Sequence, residues 1–102
     1  MRLEFAPEAL EDIQETKHYI ATVLKNRSAA SRVAKMIVHN CKQLKDQPYL
    51  GMAVEARTGY TSDMRYLICE SWLVFYRLQN DTVQIVRVID CRTDYLCILF
   101  KK

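Results

Sequence analysis

The chain has 102 residues, of which half are apolar, two are glycine and two are proline. This size and composition predict one globular domain over residues 1–102 and argue against a disordered chain. The formal net charge of +3 is too small by itself to demand a polyanionic partner. No apolar run approaches the roughly 20 residues of a membrane span, and Glu4 stands where a signal peptide needs apolar residues. We therefore expect a cytoplasmic protein.

The cysteines and histidines do not form a recognisable metal-binding pattern. Four cysteines, at positions 41, 69, 91 and 97, include no C-x-x-C pair, and neither histidine is near them in sequence. This spacing disfavours zinc, so we expect reduced, mostly buried thiols and no cofactor. His18 and His39 are predicted to face solvent from two helices.

The N-terminal half is predicted to form a short strand and two helices. A Leu-x-Phe alternation at 3–5 indicates the strand. Pro7 suits a first helical position, and an apolar stripe predicts a helix over about 7–24. Ser28 is a candidate N-cap of a second helix, which should end before Pro48. The short connection predicts that the two helices are antiparallel.

The C-terminal half is predicted to form a loop and three strands. Residues 49–62 lack periodicity and contain both glycines, which indicates the loop. Glu-Ser at 70–71 and Asn-Asp at 80–81 predict tight turns, so the strands they join should be antiparallel. The β-branched run at 83–89 should lie centrally in the sheet. The apolar tail at 94–100 fits either a strand or a helix.

Every basic residue between positions 57 and 92 is an arginine. Because a guanidinium group can clamp two oxygens of a phosphate or carboxylate, this pattern predicts an anion-binding sheet. Arg77 and Arg87 alternate with apolar residues, so a scaffolding role is the simpler interpretation for both. Arg65 and Arg92 could bind a phosphate or a carboxylate of a partner protein, or they could pair with Asp63 and Asp94.

The order β-α-α-β-β-β, together with several sequence blocks, resembles the RelE/ParE superfamily of toxins from type II toxin–antitoxin modules. The blocks are Leu-Glu-Phe-Ala-Pro-Glu-Ala at 3–9, Leu-Lys-Asp-Gln-Pro-Tyr-Leu-Gly at 44–51, Arg65-x-Leu67, Leu-Val-Phe-Tyr-Arg-Leu at 73–78, Val-Arg-Val-Ile at 86–89 and Arg92-x-Asp94-Tyr95. The resemblance implies an α+β fold in which a small antiparallel sheet packs against two antiparallel N-terminal helices.

The resemblance also implies roles for single residues. Arg65 and Arg92 match positions that contact the scissile phosphate, and Tyr95 lies near a tyrosine that orients the nucleophile or stacks on a base. We regard these three as candidate catalytic residues, and Arg57 and Arg87 as candidate RNA-binding residues. Cleavage would proceed by attack of a 2′-hydroxyl on the adjacent phosphate, with arginines stabilising the charge and no metal required.

Two activities of different kinds remain open. The leading expectation is a ribosome-dependent endoribonuclease that cuts mRNA, in which positioning by the ribosome supplies much of the rate. The other is a non-enzymatic ParE-like toxin that blocks DNA gyrase by binding. The second is favoured by the loop after the second helix, which offers only Arg57 where ribonuclease members commonly carry several basic residues. A decayed toxin that only binds its antitoxin is a third possibility. All three imply a cognate antitoxin and no membrane, and the two active forms target the ribosome and mRNA or gyrase.

Overall fold

The structure is a computed structural model that describes residues 1–100. Over these residues the chain forms five strands and four helices. In chain order they are β1 (Arg2–Phe5), α1 (Pro7–Thr22), α2 (Arg27–Gln43), β2 (Met52–Ala53), α3 (Val54–Thr58), β3 (Arg65–Cys69), β4 (Trp72–Gln79), β5 (Thr82–Asp90) and α4 (Tyr95–Phe100). The α+β fold class is therefore confirmed.

The five strands form one sheet in the order β1-β5-β4-β3-β2. The β3–β4 and β4–β5 pairs are antiparallel, as their turns predicted. Asn80 and Asp81 adopt positive φ angles of 50° and 60°, which match the right-handed twist of a tight hairpin. β1 is the exception to the antiparallel pattern, because it runs parallel to β5. The turn residues that predicted the hairpins carry no information about this long-range pairing, because β1 and β5 are separated by most of the sequence.

The observed boundaries differ from the predicted ones at short elements. The N-cap of α2 is Asn26, two residues before Ser28, and its Oδ1 accepts a hydrogen bond from the Ala29 amide at 2.9 Å. The segment predicted as a loop contains β2 and α3, and the apolar tail forms α4. β5 is an interior strand with β1 on one side and β4 on the other, as its β-branched run predicted.

The sheet buries both of its faces, against different helices. The helix-hairpin face packs on α1 and α2, and its buried residues include Ala9, Ile13, Ile37, Cys41, Cys69, Val74, Tyr76, Val83 and Ile85. The α4 face has a smaller core of Val54, Met64, Tyr66, Leu73, Phe75 and Ile89, with Tyr95, Leu99 and Phe100 packed against it. Each fully buried large side chain contributes about 1.5–3 kcal/mol. Both faces are therefore occupied, and functional side chains must lie at their rims.

The four cysteines form no disulfide. Cys41 and Cys69 are buried, but Cys91 and Cys97 are exposed, so the expectation of mostly buried thiols holds for only half of them. His18 and His39 are exposed, as predicted.

Candidate functional site

Arg65 begins β3 and shares the helix-hairpin face with Leu67 and Cys69, because alternate residues of a strand point the same way. Its Nη2 donates a hydrogen bond to the Gly51 carbonyl oxygen, and its guanidinium carbon lies 5.0 Å from the centroid of the Tyr49 ring. Its Nε is buried and meets no hydrogen-bond partner among residues 1–100. Arg65 therefore anchors the segment that follows α2, and one of its donors remains unused.

The segment held by Arg65 is tightly packed against β3 and β4. The Tyr76 hydroxyl accepts a hydrogen bond from the Gly51 amide (3.0 Å) and donates one to the Pro48 carbonyl oxygen (2.8 Å). A Cβ atom at Gly51 would lie 2.4 Å from the Tyr66 carbonyl oxygen, which is closer than any side chain can approach. These contacts give Arg65 a structural role that is independent of any bound anion.

Arg92 follows β5, and its side chain is 79% exposed. Its guanidinium group chelates the Asp90 carboxylate, with an Nη2–Oδ2 distance of 2.8 Å and an Nε–Oδ1 distance of 3.1 Å. The hydrogen bond from Arg92 holds the pKa of Asp90 below its ordinary value, although partial burial of the carboxylate opposes this. The partner of Arg92 is thus Asp90 and not Asp94, and a phosphate would have to displace it.

Arg87 joins the sheet to α1. Its Nε and Nη2 bind the two oxygens of Asp12 at 2.7 and 2.8 Å, and the Val88 amide donates to the same carboxylate at 2.9 Å. The hydrogen bond that Arg87 donates to Asp12 raises the pKa of Arg87. Arg77 pairs with Asp63 at 3.3 Å. Both geometries agree with the scaffolding interpretation of these two arginines.

Arg57 and Tyr95 meet on the α4 face, and Tyr66 joins them. Arg57 Nε donates to the Tyr95 hydroxyl (3.2 Å), and its Nη1 donates to the Tyr66 hydroxyl (3.4 Å). The guanidinium carbon lies 5.3 Å from the Tyr66 ring centroid, and the Tyr95 ring packs 5.7 Å from that of Phe75. The hydrogen bonds to Tyr66 and Tyr95 raise the pKa of Arg57, and the bond to Tyr66 has the larger effect. We call Arg57, Tyr66 and Tyr95 the Arg57 cluster.

The sequence did not single out Tyr66, because it lies in an apolar strand and reads as a core residue. Its ring is indeed part of the core of the α4 face, but its hydroxyl reaches Arg57. The alternation within β3, with Leu67 on the other face, is the one signal that could have placed Tyr66 on the face of Tyr95.

The structure does not bring Arg65 and Arg92 together. Arg65 lies opposite Tyr76 of β4, whereas Asp90, which holds Arg92, lies opposite Trp72 on the other side of β4. Four residues along a strand span about 13 Å. The two guanidinium groups are also bound to different partners, so Arg65 and Arg92 form no common site in this conformation.

A groove of about 570 Å³ lies between α1, α2 and the end of β5. Tyr19 and Leu24, which line it, are more than half exposed. The three arginines in its lining are all paired, through Arg87–Asp12, Arg92–Asp90 and Arg32–Glu70 at 2.7–2.9 Å. The groove therefore combines exposed apolar side chains with three ion-paired arginines, and Glu15 adds a carboxylate to its lining.

Within the described part of the chain, no group of three or more His, Cys, Asp or Glu side chains could hold a metal ion. No helix among residues 1–100 is both long and apolar enough to cross a membrane.

Two solved structures are similar in fold to this chain. A chain of the chromosomal ParDE toxin–antitoxin system from P. aeruginosa has 20% sequence identity and a TM-score of 0.72, with 88% of this chain and 95% of that chain covered. A histidine-to-glutamine mutant of YafQ from E. coli has 14% identity and a TM-score of 0.51, with 88% and 93% covered. No curated protein sequence matches significantly.

The match of the sequence to a family model identifies the family. The model of the ParE toxin of the type II toxin–antitoxin system parDE matches residues 3–95. The chain therefore belongs to the ParE toxin family.

Proposed function

We propose that this ParE-family toxin arrests growth by binding DNA gyrase and not by cutting RNA. The observation that carries the proposal is the separation of Arg65 from Arg92, the two positions that would contact a scissile phosphate in a ribonuclease. Membership of the ParE family supports the same choice. Gyrase lies in the cytoplasm, so we place the toxin's action there.

The chemistry of RNA cleavage explains why the separation matters. Attack by a 2′-hydroxyl requires a base, a cation at the developing phosphorane charge and an acid for the leaving oxygen, all around one phosphate. Arg92 is neutralised by Asp90, and Arg65 is held by a backbone carbonyl. A toxin that acts by binding needs none of these groups to converge.

Ribosome-dependent mRNA cleavage is the second candidate, and the Arg57 cluster favours it. The positively charged guanidinium group of Arg57 lies beside the hydroxyls of Tyr66 and Tyr95, and the two aromatic rings could stack on a base. In this case the phosphate ligand would be Arg57 rather than Arg65 or Arg92. The ribosome would have to supply the positioning that the free toxin lacks.

We also propose that the chain is neutralised by a cognate antitoxin, as a member of a two-component module would be. The groove between α1 and α2 supports this, because exposed Tyr19 and Leu24 give it apolar surface that a partner could cover.

A gyrase supercoiling assay tests the proposed target. Purified toxin is added to gyrase, relaxed plasmid and ATP, and relaxation by a type I topoisomerase serves as the control reaction. We expect supercoiling to be lost as the toxin approaches the gyrase concentration, with the control reaction unchanged. Full supercoiling in excess toxin, with circular dichroism showing a folded chain, would overturn the proposal. Binding of the antitoxin alone, without inhibition, would identify a decayed toxin.

A further inference from the structure

Charge is distributed unevenly along the chain. Residues 16–45, which span the end of α1 and all of α2, contain seven basic residues and no acidic one, and all seven are exposed. The rest of the chain contains eight basic and twelve acidic residues. The formal net charge of +3 is therefore the sum of a strongly positive segment and a negative remainder.

The solvent face of α2 carries a row of these cations. The apolar stripe of α2 is buried, and with 3.6 residues per turn Lys35, His39 and Lys42 lie on the opposite side, within about 60° of one another. Lys35 and Lys42 are about 10.5 Å apart along the helix axis. Within residues 1–100 neither lysine is in a salt bridge, whereas Arg32 pairs with Glu70 at 2.9 Å. Two free ammonium groups therefore project from one face.

Helix stability does not explain this pattern. Arg27 begins α2, where the positive end of the helix dipole disfavours a cation, and the first turn has no acidic residue. Lys42 in the last turn is favourable for the dipole, but that effect is confined to the end of the helix. The lack of carboxylates along the whole length of α2 needs another reason.

The positive surface continues past the end of α2. A cavity of about 710 Å³ between this end and β1 is lined by Met1, Arg2, Leu3, Lys42, Lys45 and Asp46. Its three basic side chains outnumber the single carboxylate, so the excess of positive charge extends from α2 to the start of the sheet.

We propose that the exposed face of α2 binds the phosphate backbone of duplex DNA without reading its sequence. Lysines suit this role because each presents a compact charge on a flexible stem that neutralises a phosphate. The spacing of Lys35 and Lys42 is comparable with the roughly 12 Å width of the major groove, so the two side chains reach phosphates on both of its sides. The proposal does not rest on gyrase as the target, although a toxin that acts on gyrase works beside duplex DNA.

The composition of this surface selects duplex DNA over other partners. Residues 25–48 contain no Phe, Tyr or Trp on which the bases of single-stranded RNA would stack. No large apolar side chain in this range is exposed, although Leu24 and Tyr49 on either side of it are. A membrane surface or an apolar protein interface would require such side chains.

The test measures fluorescence anisotropy of two labelled 20-base-pair duplexes of unrelated sequence as the whole toxin is added. We expect equal affinities for the two duplexes. If the face neutralises about three phosphates, the affinity should fall about fortyfold between 50 and 200 mM KCl. A single-stranded RNA with the same number of phosphates should bind more weakly.

Two variants with the same change in net charge complete the test. Lys35→Gln combined with Lys42→Gln should weaken binding about tenfold at 50 mM KCl and make the salt dependence shallower by about two counterions. Ala56→Glu combined with Thr61→Glu adds two exposed carboxylates in and after α3, whose Val54 packs in the core of the α4 face, and should bind like the wild type. Circular dichroism checks that both variants are folded.

Four results would overturn the proposal. They are no binding with about 100 μM toxin at 50 mM KCl, equal weakening in the two variants, a preference for one duplex sequence, or tighter binding to the single-stranded RNA. The last result would assign the surface to RNA. No gyrase is present in these measurements, so they are independent of the supercoiling assay.

Discussion

Asp12 lies on α1 with 9% of its surface exposed, and it accepts hydrogen bonds from the Arg87 guanidinium and from the Val88 amide. The ion pair joins residues 75 positions apart, so it fixes α1 against β5. A buried carboxylate of this kind is costly to disrupt, because removing it leaves a guanidinium and a backbone amide without their partner.

Replacing Asp12 with alanine should therefore lower the free energy of unfolding by about 2–4 kcal/mol. Urea unfolding followed by circular dichroism measures this loss. Glu11→Ala, at an exposed neighbouring position, is the control and should stay within about 0.5 kcal/mol of the wild type. Equal losses in the two variants would show that the Asp12–Arg87 pair is not structural.

Tyr76→Phe should cost about 1–3 kcal/mol of unfolding free energy, because the buried Gly51 amide loses its acceptor. The same unfolding measurement applies. Tyr19→Phe removes a hydroxyl from a half-exposed ring and should be nearly neutral. If Tyr76→Phe is also neutral, the segment after α2 is not held by this hydroxyl.

Asp90 gives a pH-dependent prediction. Arg92 depresses the pKa of Asp90 in the folded state, so the stabilisation is present above the unfolded value of about 3.9 and is lost as pH falls through the lower folded pKa. In Arg92→Gln, a ¹³C carboxyl titration should show the Asp90 pKa rising towards its ordinary value. An unchanged titration would mean that another group holds the carboxylate ionised.

The sequence could indicate which arginines matter but not what they bind. The prediction of an anion-binding sheet rested on the arginines alone, and the scaffolding interpretation of Arg87 agrees with its contact to Asp12. The sequence could not identify Asp12 as the partner of Arg87, because α1 and β5 are adjacent only after the whole chain has folded. Tyr66 was missed for the same reason, since its role depends on Arg57 lying across from it.

At the scale of elements, long periodic segments were predictable and short ones were not. α1, α2 and the hairpin strands carry enough turns or alternations to be identified. α3 and α4 have five and six residues, too few for a period to emerge, and they are stabilised by packing on the α4 face. The parallel pairing of β1 is a tertiary contact that no local pattern encodes.

Cysteine reactivity tests the packing of α2 against the sheet. Burial raises the pKa of Cys41 to about 12 and also raises that of Cys69, whereas Cys91 and Cys97 are exposed. At pH 8 a thiol reagent should label two cysteines quickly and two slowly, with all four reacting in denaturant. Rapid labelling of Cys41 in the native protein would contradict the closed helix-hairpin face.

At the scale of the whole molecule, the candidate functional groups lie in separate places. Arg65 supports the segment after α2, Arg92 borders the groove beside α1, and the Arg57 cluster lies on the α4 face. This distribution is better suited to a protein that contacts partners through several surfaces. A ribonuclease would instead be expected to place its charged groups around a single phosphate.

The measurement that most directly distinguishes gyrase binding from RNA cleavage is a map of mRNA 5′ ends. The map is made in a cell-free translation reaction, at a toxin concentration that abolishes gyrase supercoiling. We expect the same ends with and without toxin. New ends in register with codons would contradict this result. Their loss in Arg57→Gln and Tyr95→Phe would assign cleavage to the Arg57 cluster, and their loss in Arg65→Ala and Arg92→Ala would assign it to the separated arginines.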